Sequence, residues 1–240
     1  MKAGGQDPDV RAFSSGGSDC RMYALEGARA LLVQPAGTTD GEREENEVHL
    51  IMRNAAVPFA MVFFDAGDWD ADLTPWEAPA AFGGRSFGGA AGRTLRSALG
   101  SVIPDSLAAA GLKDDAPVVL GGYSLAGLFA LWSVYQTDRF AAAAAVSPSV
   151  WYPGWTAFAE RSEPRTGIVY LSLGDREEKT KNRTLAAVGN AIRRQDERLE
   201  ECGARHVLRW NPGGHFSDAE ARCADGFAWC LEQLFPDPDA

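Results

Sequence analysis

The chain has 240 residues, 45% of them hydrophobic and 23% charged, with a formal net charge of −10 and a pI near 4.8. That length fits one large α/β domain or two small ones and is enough to bury a substantial core. The acidic balance, with no Lys/Arg cluster to offset it, argues against a polyanion partner, so no nucleic-acid binding is expected.

Residues 1–17 are rich in Gly, Ser and Asp and lack the apolar core of a signal peptide. They are expected to form a flexible N-terminus, with residues 18–240 as a single domain. No uninterrupted apolar stretch is long enough to span a bilayer, so no membrane partner and a cytoplasmic location are expected. Cys223 and Cys230 would stand two helical turns apart, and Cys20 and Cys202 show no framework spacing, which favours reduced thiols. Cys202, His206, His215 and Cys223 match no zinc spacing, so no metal is expected.

In chain order, Cys20–Leu25 and Ala28–Gln34 read as strands, the second ending at a Pro35-Ala36-Gly37 turn. Glu42–Asn54 reads as a surface helix whose His49 is an ordinary surface histidine. Pro58–Phe64 is a continuous apolar run, as in a strand buried on both faces. Asp65–Gly92 reads as a long irregular segment with two tryptophans, Trp69 and Trp76, and is assigned to the wall of the site. Its glycines include no phosphate-binding pattern, so no nucleotide cofactor is expected. Thr94–Val102 reads as a short helix. Phe140–Val146 carries five alanines, yet its place between a helix and the Ser147-Pro148-Ser149 turn predicts a buried strand. Ile168–Leu173 is a strand ending at Gly174-Asp175-Arg176-Glu177-Glu178. Asn182–Cys202 is an amphipathic helix, His206–Trp210 a last strand, and Ser217 with Glu220 gives a capping box for a closing helix that runs to about Leu234. The alternation predicts an α/β fold, doubly wound around a mostly parallel sheet, whose sites gather at the strand carboxyl ends.

At the centre lies Val118-Val119-Leu120-Gly121-Gly122-Tyr123-Ser124-Leu125-Ala126-Gly127. An apolar strand runs straight into an apolar helix through small residues around one serine, which is the pattern of a nucleophile elbow. A serine hydroxyl is a poor nucleophile unless a base takes its proton and a carboxylate orients that base. His215, on a glycine-flanked loop before the last helix, is the candidate base. Glu177 is the favoured acid, with Glu178 and Asp175 as alternatives. His206, at the start of a strand, is read as structural. The backbone N–H of Leu125 and a second N–H within Gly67–Trp69, assigned to Trp69, would hold an oxyanion. Trp69, Trp76, Trp151 and Trp155 are assigned to an apolar substrate wall.

Gly-Gly-Tyr-Ser-Leu-Ala-Gly-Leu-Phe-Ala, Ser-Pro-Ser-Val-Trp-Tyr, Ser-Leu-Gly-Asp-Arg-Glu-Glu-Lys-Thr-Lys-Asn and Gly-Gly-His-Phe together resemble the putative-esterase family of α/β-hydrolases, over roughly Ala28–Leu234. That group includes esterase D, siderophore esterases, feruloyl and acetylxylan esterases and mycolyltransferases. The resemblance implies an α/β-hydrolase fold with Ser124 as nucleophile and His215 as base, and the few insertions in the chain argue against a substantial cap domain. It also admits a serine–histidine dyad, which leaves the acid open. The reading is a serine hydrolase that cleaves carboxylic or thioester bonds of a small-molecule, small-acyl substrate through an acyl-enzyme, without a cofactor. An acyltransferase and a hydrolase-fold binding module without turnover are the alternatives, and the sequence leaves the oligomeric state open.

Overall fold

The computed structural model describes residues 7–37, 41–81 and 84–236. Ten strands, nine α-helices, one π-helical stretch and one 3-10 turn are assigned among them. Eight of the strands make one sheet: β1 (Asp9–Ser15), β2 (Ser18–Ala24), β3 (Leu31–Ala36), β4 (Ala60–Asp65), β7 (Val118–Tyr123), β8 (Ala142–Val146), β9 (Ile168–Gly174) and β10 (Arg205–Asn211). Their spatial order is β1-β2-β4-β3-β7-β8-β9-β10. Only the β1–β2 and β2–β4 pairings are antiparallel, so the sheet is parallel from β4 to β10. This is the mostly parallel, doubly wound α/β fold expected. No separate cap domain stands over it among the described residues.

Successive strand residues point to opposite faces, and the buried side chains divide accordingly. Val118 and Leu120 of β7, with Ala143 and Ala145 of β8, face one core. That core is completed by α3 (Ala91–Ser97), α4 (Ile103–Ala109), α5 (Leu125–Ser133), α6 (Trp155–Arg161) and α8 (Val188–Glu201). Val119, Ala142 and Ala144 face the other, closed by α1 (Gly41–Asn54) and α9 (Ala219–Leu234). Burial on both faces explains why these strands are apolar without alternation. β8 takes alanines because helices press close on both sides. A Cβ on Gly226 of α9 would already stand 3.2 Å from the Ala144 methyl.

Several expectations are corrected. Residues 9–15, placed in a flexible N-terminus, form β1, which pairs with β2 along its whole length from Asp9–Ala24 to Ser15–Ser18 around Gly16 and Gly17. Residues 1–6 lie outside the described residues. Pro35 and Ala36 belong to β3 rather than to a turn, paired with Phe64 and Asp65. The β3–β7 ladder stops earlier, at Val33–Leu120, and Pro35 has no N–H to extend it. The two strands therefore part at their carboxyl ends. The Asp65–Gly92 segment contains a short helix, α2 (Trp69–Asp72), and a small ladder of β5 (Glu77–Ala78) with β6 (Phe87–Gly88). The helix expected over Thr94–Val102 extends over 91–109, with a π-helical stretch at Ala98–Val102 just before Pro104. Proline would obstruct an α-helical bond to residue 100, and the Ile103 N–H instead reaches Ala98 O, five residues back. The helix expected over Asn182–Cys202 divides at Ala187 into α7 (Arg183–Ala186) and α8.

The close contact of β7 with α9 generates a stability prediction. A Cβ on Gly121 would collide with the Phe227 ring and stand 3.1 Å from the Ala144 methyl. Gly121→Ala should therefore cost about 1–3 kcal/mol, the usual penalty of overpacking. Gly121→Ala/Phe227→Leu should recover part of that loss, read by urea denaturation. A double variant no more stable than the single one would contradict this packing.

Candidate active site

Ser124 stands at the carboxyl end of β7, where the chain turns directly into α5, with φ 60° and ψ −117°. This is a conformation that few side chains other than glycine adopt, and it is held from outside. The Ser124 N–H donates to Val146 O at 3.1 Å, and Ser124 O accepts from Leu128 N–H at 2.9 Å and Ser149 N–H at 3.1 Å. Gly122 is required by close approach, since a Cβ there would lie 2.6 Å from the Ala126 methyl.

His215 lies between β10 and α9. Its Nδ1 is 2.6 Å from Glu177 Oε2 and its Nε2 is 3.0 Å from Ser124 Oγ. An ionised carboxylate can only accept, so the ring proton sits on Nδ1 and Nε2 is left to accept from the serine hydroxyl. The three side chains come from the ends of β7, β9 and β10, at the sheet's carboxyl edge.

Among the three acidic candidates, the geometry separates Glu177 from its neighbours. Its side chain is 5% exposed, and besides His215 it accepts from Ser147 Oγ and the Gly174 N–H, both at 2.8 Å. Burial by itself would raise its carboxyl pKa, but hydrogen bonding and charge from His215, with the Gly174 and Ser147 donors, hold it below the usual carboxylate value. Asp175 instead accepts the Gly213 N–H at 2.8 Å, tying the β9 turn to the histidine loop. Glu178 forms a two-pronged pair with Arg193 at 2.9 and 3.0 Å.

The expected capping box does not form. Asp218 takes the left-handed conformation at the start of α9 without a side-chain cap, while Ser217 Oγ accepts the Gly214 N–H at 3.2 Å. That hydroxyl closes the loop carrying His215. The loop is held further by Tyr123, whose hydroxyl donates to His215 O at 2.7 Å.

A pocket of about 470 Å³ opens beside Ser124 and Leu125. Trp69 and Trp151 line it. Trp76 and Trp155 do not, which corrects their assignment to the wall. The Trp76 indole N–H donates to Pro153 O at 2.8 Å, and its ring packs on Tyr152 and Phe158. Trp155 is 1% exposed and donates to Gln195 Oε1 at 3.1 Å. Both satisfy their polar atom within the protein and sit behind the wall. The apolar lining that sequence reasoning missed is Phe87, Leu185, Val188 and Phe216. Phe216 was within reach of the sequence, because it follows His215 directly; the ring is 97% exposed at the pocket mouth.

Leu125 and Trp69 both line this pocket. Leu125 and Trp69 each open a helix, and the first N–H groups of a helix have no intrahelical acceptor. Within the Gly67–Trp69 turn, the Gly67 N–H is bound to Asp65 Oδ1 at 2.8 Å and the Asp68 N–H to Asp72 Oδ2 at 3.0 Å. His206 stands apart, with Nδ1 2.9 Å from Ala204 O and Nε2 3.2 Å from Asp196. Among the described residues no group of three or more His, Cys, Asp and Glu is placed to hold a metal.

A model of the family described as "Putative esterase" matches residues 21–216. Among curated proteins the sequence comparison finds no match. Among solved structures, an IroE-like serine hydrolase from Shewanella oneidensis aligns at TM-score 0.77 and 15% identity, over 95% of this chain and 82% of its own. The siderophore hydrolase EstA from Aspergillus nidulans aligns at 0.67 and 16%, over 91% of each chain. An enterobactin esterase, FES, from Shigella flexneri aligns at 0.65 and 18%, over 98% of this chain and 62% of its own, so the chain spans less than two thirds of that protein.

The depressed carboxyl of Glu177 has a signed consequence. A group with a folded pKa below its unfolded one stabilises above the ordinary carboxylate value, about 4.3, and loses that contribution as pH falls through the folded value. Glu177→Gln should therefore be less stable than wild type at pH 7, with the gap narrowing below about pH 4. Urea titrations across that range test it, and a gap independent of pH would mean that the ionised form carries no stability.

Proposed function

Because the chain belongs to the Putative esterase family and is an ester-hydrolysing enzyme, we propose that it works as a serine hydrolase, with Ser124 as nucleophile, His215 as general base and Glu177 as the acid that orients the imidazole. The observation that carries this reading is the unbroken relay from Ser124 Oγ to His215 at 3.0 Å and on to Glu177 at 2.6 Å, at the mouth of an apolar pocket.

His215 Nε2 takes the serine proton as Oγ attacks the ester carbonyl. The developing oxyanion is held by the Leu125 and Trp69 N–H groups, the two donors of the elbow and of the 67–69 turn without an internal acceptor. His215 then gives its proton to the departing alcohol, an acyl-enzyme remains on Ser124, and water activated by the same histidine releases the acid. The acyl group occupies the pocket of Trp69, Phe87, Trp151, Leu185 and Val188, whose size suits a short or single-ring acyl chain. All four cysteines are free, three of them buried, in keeping with a cytoplasmic setting. Among the described residues no helix is long and apolar enough to cross a membrane.

On a ladder of p-nitrophenyl esters, Ser124→Ala and His215→Ala should each lower kcat by about 10⁵–10⁶, and Glu177→Ala by about 10⁴. A fluorophosphonate probe should label wild type and not Ser124→Ala. Near-normal turnover in Ser124→Ala, or no labelling of an active wild type, would end the assignment.

A further inference from the structure

A second groove, of about 520 Å³, opens on the other side of Ser124 and His215. It shares Trp69, Ser124, His215 and Phe216 with the acyl pocket, but its remaining wall sets Gln34 and four charged side chains among apolar ones such as Pro35, Ala36 and Phe63. The parting of β3 from β7 beyond Val33 creates it, and α1 and α9 close its sides. Among the described residues that line it, the charged side chains are Arg43, Glu44 and Glu47 of α1 and Glu220 of α9. Arg43 Nε donates to Glu220 Oε1 at 2.7 Å, and Glu44 faces Arg21 of β2 at 3.6 Å.

Among the described residues, Glu47 is the carboxyl in this groove with no ion pair. It is 5% exposed; its Oε2 accepts from Gln34 Nε2 at 3.2 Å, while its Oε1 is buried with no partner. Gln34 Oε1, on the same wall, is also buried and unpaired. A buried acceptor without a donor is costly, and two in one groove beside the reacting serine mark a place for a donor from outside the chain. Burial pushes the Glu47 carboxyl up to about 8. The Gln34 hydrogen bond opposes that shift, and the Glu220 and Glu44 carboxylates add to it. Cys223 of α9 also lines this wall and is buried. Burial thus favours the protonated carboxyl, and a cation seated in the groove would favour the ionised one.

We propose that this groove seats the leaving-group half of the ester, and that this half carries an ammonium group whose N–H donates to Glu47, with Gln34 Oε1 as a second acceptor. The inference rests on the Ser124 reading above. The acyl half is fixed to the other side, because its carbonyl oxygen must face the Leu125 N–H and Leu125 lines only the apolar pocket. In acylation the Ser124 Oγ–carbon bond forms and the carbon–oxygen bond to the alcohol breaks. His215 delivers its proton to that oxygen, and an amino alcohol departs with its ammonium intact.

The test uses two butanoate esters of the same shape, one of 2-(dimethylamino)ethanol, protonated near neutral pH, and one of the neutral 3-methylbutanol. Wild type should favour the cationic ester by about tenfold in kcat/KM, the worth of one hydrogen bond to a charged group. Glu47→Gln should bring that ratio to about one. A ratio near one in wild type, or a preference that survives Glu47→Gln, overturns the proposal. Loss of fluorophosphonate labelling, or turnover that survives Ser124→Ala, would instead sink the serine mechanism, so the two failures are separable. Folding of the variant is checked by its melt. Ionising Glu47 costs the folded state as pH rises from the ordinary carboxylate range to about 8, so Glu47→Gln should melt above wild type at pH 8.5, with a smaller gap at pH 5. Independently of any variant, 2-(dimethylamino)ethanol should inhibit wild-type hydrolysis of p-nitrophenyl butanoate more strongly than 3-methylbutanol; equal inhibition counts against the groove.

Discussion

The contact between His215 and Glu177 is the constraint on which the rest of the site depends, because it buries a charge. A carboxylate taken out of water is destabilising unless its lone pairs are filled, and Glu177 fills them from three directions: the His215 ring, the Ser147 hydroxyl and the Gly174 N–H. Arg222 of α9, itself 3% exposed, lies 3.4 Å from Glu177 Oε1 and supplies the opposite charge. Its other donors reach Tyr123 Oη at 3.1 Å and Pro212 O at 2.8 Å. The same guanidinium therefore touches the acid, the residue before the serine and the loop before the histidine. Loosening any one of these would leave a buried charge uncompensated, which keeps the three strand ends in register.

This network also explains features that look unrelated when taken singly. Ser147 is one of three described residues other than glycine with positive φ, at 41°. Its backbone N–H donates to Ser172 O of β9 while its hydroxyl reaches Glu177. The strained turn thus aims a donor from the end of β8 at the acid that follows β9. Ser217 serves the histidine loop rather than its helix for a similar reason: the Gly214 N–H beside His215 has a stronger claim on that hydroxyl than an exposed helix end, where water can substitute.

How much was legible in the sequence follows from how local each feature is. The elbow is written in ten consecutive residues, and strand, serine and helix can be read there without knowing any neighbour. His215 was visible through its glycines, and the acidic turn after β9 through its position. Glu177 could be favoured but not separated from Asp175 and Glu178, because the separation depends on Gly213 and Arg193, 38 and 15 residues away. Trp76 and Trp155 misled because a loop tryptophan looks the same whether its ring faces a pocket or plugs the layer behind it. Strand β1 was missed because five of its seven residues are exposed, and no hydrophobic alternation announces an edge strand. The second groove could not be read at all, since it arises where two strands stop pairing.

The departure from glycine at Ala126 shows how the elbow tolerates substitution. Two backbone approaches have to be accommodated around the serine, one between strand and helix and one between helix and the neighbouring strand. Gly122 meets the first alone: the Ala126 methyl fills the space where a Gly122 Cβ would stand. The second falls at Gly127, where a Cβ would come within 2.9 Å of both Gly122 O and Val146 O. A methyl is therefore admissible at 126 and excluded at 127, because α5 turns its closest approach to β8 one residue later than a glycine at 126 would require. Val146 O, pressed by that approach, is also the acceptor of the Ser124 N–H. The packing that demands Gly127 thus fixes the backbone of the serine itself.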